Sequence, residues 1–167
     1  MIIGGFQPFT LSDFPGHVAA IVFTQGCNWR CPYCHNRSLL KMRRPEQELI
    51  PETHVFDLLH RRRNELDGLV ITGGEPTIQE DLARFLHEVR RLGLAIKLDT
   101  NGSRPDVIGQ LLDAGLLDYI AMDVKAPFDR YELITDCGVD TNALKTSIAL
   151  LKNSGVSCEF RTPTVLV

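Results

Sequence analysis

Short apolar, β-branched runs recur along the chain at residues 18–23, 68–72, 94–100, 118–124 and 157–167. Each has the length and composition of a strand buried on both faces. Between them lie segments with helical spacing. In 79–93, Leu82, Phe85, Leu86 and Val89 recur at i, i+3, i+4 and i+7, which puts them on one stripe. Thr77 and Glu80 have the spacing of a capping box at its start, and Gly93 stands where the helix would stop. Segments 52–66, 105–114 and 141–153 repeat the pattern, the last with Leu144, Ile148 and Leu151 on one face and Gly155 beyond its end. The predicted order is β-α-β-α-β-α-β-α-β. Strands of this kind alternating with helices make an α/β fold, a parallel sheet with helices packed outside it. Functional groups in such sheets gather at the C-terminal ends of the strands.

Length and charge narrow the function classes. A chain of 167 residues is expected to form one domain. Its net charge of -3 provides no general attraction to a phosphate backbone or an anionic membrane surface, so neither nucleic acid nor membrane is an expected partner. The first 17 residues lack the pattern of a secretory leader, and no apolar run is long enough to span a bilayer; a soluble cytoplasmic protein is expected. The basic runs 41–47 and 60–67 read as solvated surface, the second also complementing a helix C-terminus.

Candidate chemistry is concentrated just after the first predicted strand. Cys27, Cys31 and Cys34 follow a C-x3-C-x2-C spacing and are succeeded by His35. Five cysteines, three of them this close together, fit reduced metal-binding thiols better than a secreted disulfide framework. Two kinds of centre remain open. A structural zinc would need four ligands, with His35 beside Cys34 or a distant Cys137 or Cys158 completing the set. A four-iron cubane on three thiolates would leave one iron open to a further ligand.

The residues resemble those of the radical S-adenosylmethionine enzymes. The three-cysteine spacing with Tyr33 before the last cysteine is one signature, and "GGEP" at 73–76, "LDTNG" at 98–102 and "MDVK" at 122–125 match further segments in the same order. With "LSDFPGHVAAIVFTQGC" leading in and "CHN" leading out, the pattern is similar to the glycyl-radical-enzyme activating subgroup. The resemblance implies a partial, open β/α barrel of parallel strands with about five to six β/α units. It also implies one [4Fe-4S] cluster on Cys27, Cys31 and Cys34, with S-adenosylmethionine on its open iron, and reductive cleavage to a 5′-deoxyadenosyl radical.

The same resemblance gives roles to other residues. Tyr33 would lie beside the adenine. Gly73 and Gly74 would let a ligand approach the main chain, where the methionine amino group is bound, and Glu75 would supply a carboxylate to that ammonium. Asp99, Thr100 and Asp123 would form a monovalent-cation site near the methionine carboxylate. Lys125 would meet that carboxylate, and Arg161 would face the cofactor. The implied partners are a glycyl radical enzyme as protein substrate, with anaerobic ribonucleotide reductase the leading expectation, and flavodoxin or ferredoxin as reductant. A small-molecule radical enzyme, such as a deazapurine-forming one, is the alternative within the family. A non-catalytic zinc module is the alternative outside it.

Other residues read as ordinary. "GGEP" would equally suit a plain strand-to-helix turn, and each aspartate could accept loop N–H groups. His17, His35 and Asn36 flank the cysteines without an assigned role, and Cys137 and Cys158 read as non-ligands. The chain ends inside a strand-like run containing Pro163, where family members continue with further units. Residues 1–167 are therefore expected to be either a compact single domain or one lacking C-terminal barrel units.

Overall fold

The structure is a computed structural model describing residues 1–163. The end of the last predicted strand, 164–167, lies outside the described residues. Six strands form one sheet in the order β1-β2-β3-β4-β5-β6. They are β1 (Ile3–Thr10), β2 (Ala19–Thr24), β3 (Gly68–Gly73), β4 (Ala95–Thr100), β5 (Tyr119–Asp123) and β6 (Ser157–Arg161). From β2 to β6 every neighbouring pair is parallel; β1 alone runs antiparallel, against β2. The helices are α1 (Glu52–Arg61), α2 (Leu82–Arg91), α3 (Pro105–Asp113), α4 (Tyr131–Thr135) and α5 (Thr141–Asn153). Sequential strand order with no return crossover gives an open, partial β/α barrel, as expected.

Alternation along the strands divides the sheet into two unlike faces. On the outer face Val22, Leu69, Ile71, Ile96, Leu98 and Ile120 pack with Val55, Leu59, Phe85, Leu86, Val89 and Leu144 of the helices into the main core. On the inner face Phe14, Ala19, Ile21 and Val70 make a much smaller apolar cluster. Beyond that cluster the inner positions include the charged Lys97 and Asp99 of β4, Asp123 of β5, and Glu159 and Arg161 of β6.

Three local features depart from the predicted pattern. Strand β1 has no predicted counterpart, because Gly4, Gly5 and Pro8 read as turn residues. An edge strand with two register shifts tolerates them. The capping box at Thr77 and Glu80 is not made: α2 begins at Leu82, and the Thr77 amide and hydroxyl both donate to Glu75 instead. The helix predicted over 52–66 stops at Arg61 and continues as a turn that still buries Leu66. By contrast α5 occupies the predicted residues, capped by Asp140, which accepts from the Asn142 and Ala143 amides.

Candidate active site

A cavity of about 550 Å³ opens at the C-terminal ends of the parallel strands. Cys27, Cys31, Cys34, Tyr33, Gly73, Gly74, Glu75, Asp99, Thr100, Asp123, Lys125 and Arg161, which are all the candidate site residues read from the sequence, line it. The fold brings them together from four strand ends and the loop after β2. Cys137 and Cys158 lie outside its lining.

The two glycines pack against the end of β2. Gly73 adopts φ +120°, a conformation nearly closed to other residues. A Cβ there would stand 2.3 Å from the Thr24 amide nitrogen, and one on Gly74 would stand 2.0 Å from the Gly26 carbonyl oxygen. What approaches these glycines is the main chain at the end of β2. Gly74 N–H donates to Thr24 O at 2.9 Å and Glu75 N–H to Gly26 O at 2.8 Å, which fixes the residues just before Cys27. Glu75 is 1 % exposed, and it is committed within the protein. Its Oε1 accepts from the Thr77 amide and hydroxyl and from the Thr100 hydroxyl at 2.7 Å; Oε2 accepts from the Asn101 amide at 2.7 Å. This carboxylate ties the end of β3 to the end of β4. Burial raises its pKa, and the surrounding donors oppose that.

Further ties hold the cysteine loop across the mouth of the barrel. Asn28 donates to Ser103 Oγ at 2.8 Å and accepts from Asn101 Nδ2 at 2.9 Å. Trp29 is buried edge-on against Tyr131 of α4, and Arg30 N–H donates to Thr135 O. The Tyr131 hydroxyl in turn accepts from the Lys125 amide at 3.0 Å, so one aromatic supports both the loop and the lysine.

Opposite the cysteines lies a lattice of alternating charge. Lys125 Nζ donates to Asp123 Oδ2 at 2.9 Å; Arg161 Nε donates to Asp123 Oδ1 at 3.0 Å, and its Nη1 to Asp99 Oδ2 at 3.2 Å. Lys97 Nζ pairs with Asp99 Oδ1 at 3.1 Å and donates to the Asp13 carbonyl at 2.5 Å. The positive charge that two neighbouring carboxylates require is thus supplied by Arg161. The sequence expectation placed a monovalent cation between Asp99 and Asp123; in the structure the Arg161 guanidinium pairs with both carboxylates. Thr100, assigned to the same cation site, turns to the other side and donates to Glu75. Lys97 is 3 % exposed and went unrecognised in the sequence, as did Asn101. The signal for Lys97 was a lone cation inside an apolar run, the same one that marks Arg161.

The thiols face a cost of ionisation. Burial pushes the Cys27 thiol up to about 12, with the carboxylate of Glu75 and the other two cysteines adding to it. Burial also raises Cys31, while Lys125 opposes that rise. For Lys125 itself, burial disfavours the charge, but Asp123 and the nearby thiols outweigh it and the ammonium is held. One buried polar atom of the lining, Tyr33 Oη, has no hydrogen-bond partner among the described residues. Thiols that need a positive centre, and a polar atom that needs a partner, fit a cluster with a polar ligand. Among the described residues no three His, Cys, Asp or Glu side chains converge as the ligands of a single ion do. A cubane takes each thiolate on a different iron, which three cysteines around one cavity can provide.

Comparison with known proteins agrees with this layout. The Radical SAM superfamily model matches residues 21–166. A Methanocaldococcus jannaschii protein, provisionally named a glycyl-radical enzyme activating enzyme, is 35% identical over 98% of this chain and 68% of its own length. A Thermococcus kodakarensis protein, provisionally named a GTP 3′,8-cyclase, is 33% identical over 58% of this chain and 31% of its own length. The crystal structure of QueE from Escherichia coli superposes with a TM-score of 0.52 at 18% identity, covering 97% of this chain and 94% of that one, a likeness of fold. The chain spans about two thirds of the first relative and about a third of the second. With its family model covering the sheet from β2 onward and the three-cysteine loop, this chain belongs to the Radical SAM superfamily.

Proposed function

We propose that this protein reductively cleaves S-adenosylmethionine to methionine and a 5′-deoxyadenosyl radical, and that the radical removes the α-hydrogen of one glycine in a glycyl radical enzyme. Anaerobic ribonucleotide reductase is the proposed target. The observation that carries the chemistry is the convergence of Cys27, Cys31 and Cys34 with the Asp99–Arg161–Asp123–Lys125 lattice on one cavity. A glycyl radical enzyme as the class of target is supported by the name of the relative that aligns with almost the whole chain; anaerobic ribonucleotide reductase within that class follows the resemblance of the motifs alone. Hydrogen transfer from glycine is favourable because its α-radical is delocalised over two flanking amides, whereas the 5′-carbon radical is not.

Cys27, Cys31 and Cys34 would hold the cluster, which when bound supplies one electron and an iron with an open coordination position. The protein's own groups do the rest. Lys125 and Arg161 present cations to the methionine carboxylate, and Asp99 and Asp123 fix where those cations point. Tyr33 lies beside the adenine, its hydroxyl free to bond a ligand. Gly73, Gly74 and Glu75 act one step back, holding the strand ends and the loop at the spacing the ligand needs. Reduced thiols and an electron supply accord with a cytoplasmic setting, with flavodoxin or ferredoxin as donor.

The test is to reconstitute the protein anaerobically, reduce it, and incubate it with S-adenosylmethionine and anaerobic ribonucleotide reductase. A glycyl doublet in the electron paramagnetic resonance spectrum is expected. Consumption of GTP with no protein radical would replace the proposed target with a small nucleotide.

A further inference from the structure

From Phe14 to Pro45 the chain carries five Lys or Arg and no Asp or Glu, on a protein whose net charge is -3. The last part of this stretch, which the sequence pattern assigns to plain solvated surface, folds back over the cysteine loop. Gly26 N–H donates to Leu39 O at 2.8 Å and Cys27 N–H to Leu40 O at 3.4 Å. The buried Gln25 donates to the Lys41 carbonyl at 2.6 Å, and Met42 Sδ lies 3.3 Å from where a Cβ on Gly26 would stand. Lys41 and Met42 therefore pack directly on the residues that lead into the first cysteine.

The side chains of this segment point outward. Lys41, Met42 and Arg43 are exposed, Met42 to 58 %, and Lys41 and Arg43 have no ion-pair partner among the described residues. Arg44 is occupied by Glu48 at 2.9 Å, Arg37 turns back to the Pro32 carbonyl, and Glu46 is the exposed acid that follows. Leu40 lines the cavity, while Lys41, Met42 and Arg43 do not. An exposed thioether between two cations with no ion-pair partner among the described residues, against the residues that lead into Cys27 and outside the cavity lining, is out of place for a substrate, which has to enter. It is well placed for a reductant, which has only to come close.

We propose that Lys41, Met42 and Arg43 form the docking site of an acidic one-electron carrier protein. This rests on the reading above that the cysteines hold a reducible centre. In each encounter the carrier loses one electron and the centre held by the cysteines gains it, with no bond made or broken. Such encounters bury little area and are governed by complementary charge, which sets the association rate and makes it fall with salt. The flexible thioether adds an apolar contact that adapts to the partner's surface.

The test uses Lys41→Glu/Arg43→Glu, two surface changes away from the cavity, with flavodoxin as the probe. Flavodoxin binding is measured by fluorescence anisotropy at low and raised salt. 5′-Deoxyadenosine formation is measured with either flavodoxin or dithionite as reductant. The expected result is about tenfold weaker flavodoxin binding, a flattened salt dependence, flavodoxin-driven turnover reduced in step, and unchanged dithionite-driven turnover. Unaltered flavodoxin binding would overturn the proposal. So would an equal loss with dithionite, or a preference of the wild-type surface for a single-stranded RNA oligonucleotide over flavodoxin. Wild type that binds flavodoxin through these residues yet forms no product with either reductant would sustain the docking site and overturn the radical reading.

Discussion

The two faces of the sheet are built on different physics. The outer face is apolar, covered by α1, α2, α3 and α5, and interchangeable in detail, since many aliphatic side chains of the right size would fill it. The inner face is half charged, and each ion there depends on a named neighbour: Lys97 on Asp99, Arg161 on Asp99 and Asp123, Lys125 on Asp123. Burial drives the first face. On the second, burial is a cost that only pairing offsets. The outer face therefore sets stability, and the inner face sets where a ligand's charges go.

Substitutions on the two faces should separate these roles. Phe85→Ala, at a fully buried outer position, should cost about 3–5 kcal/mol in urea unfolding while leaving S-adenosylmethionine affinity per folded molecule unchanged. Equal loss of affinity would break the division. Lys97→Met should cost about 3 kcal/mol, because it removes one partner of an ion pair whose carboxylate side chain is only 14% exposed. Unlike Phe85→Ala, it should also weaken S-adenosylmethionine binding measured by calorimetry, and Lys97→Arg should restore part of it. Gly74→Ala should cost about 1–3 kcal/mol, since its Cβ would meet the Gly26 carbonyl. The same change should shift the loop before Cys27 and lower iron content after reconstitution.

The smallest effect belongs to the outer rim. Burial alone would raise Glu52, but Arg84, at 2.7 Å, and the chain's amino group hold that carboxyl below its ordinary value. A depressed carboxyl contributes stability above its unfolded pKa of about 4.3 and loses it as the pH falls through the lower folded value. Arg84→Ala should therefore cost under about 1 kcal/mol at neutral pH and flatten the acid limb of the stability profile. No change in that limb would remove this pair from the account.

What could be read from the sequence follows the same division. Strands β2 to β5 and helix α5 were legible because burial writes a period into the chain. The site residues were legible only as motifs, and the sequence placed them at strand ends without showing which ones face one another. Glu75 read as a ligand for an ammonium, yet it is satisfied by Thr77, Thr100 and Asn101, contacts that depend on two strand ends meeting. Gly73 and Gly74 read as room for a ligand, and the structure adds the close approach of the main chain at the end of β2. The Asp99–Asp123 pair read as a cation site, and the sequence did not show that Arg161, 38 residues beyond Asp123, pairs with both carboxylates. These contacts were not legible for one reason: tertiary neighbours leave no periodic mark in a sequence.

The central claim is that the three cysteines, held at the mouth of the barrel, support radical chemistry on S-adenosylmethionine. The most direct test is the yield of 5′-deoxyadenosine after anaerobic reconstitution with iron and sulfide, reduction by dithionite and addition of S-adenosylmethionine, with wild type run beside Cys31→Ala. The account predicts a brown wild-type protein that forms 5′-deoxyadenosine and a Cys31→Ala variant that forms none. A wild-type protein that takes up zinc in place of iron and forms no 5′-deoxyadenosine would contradict it.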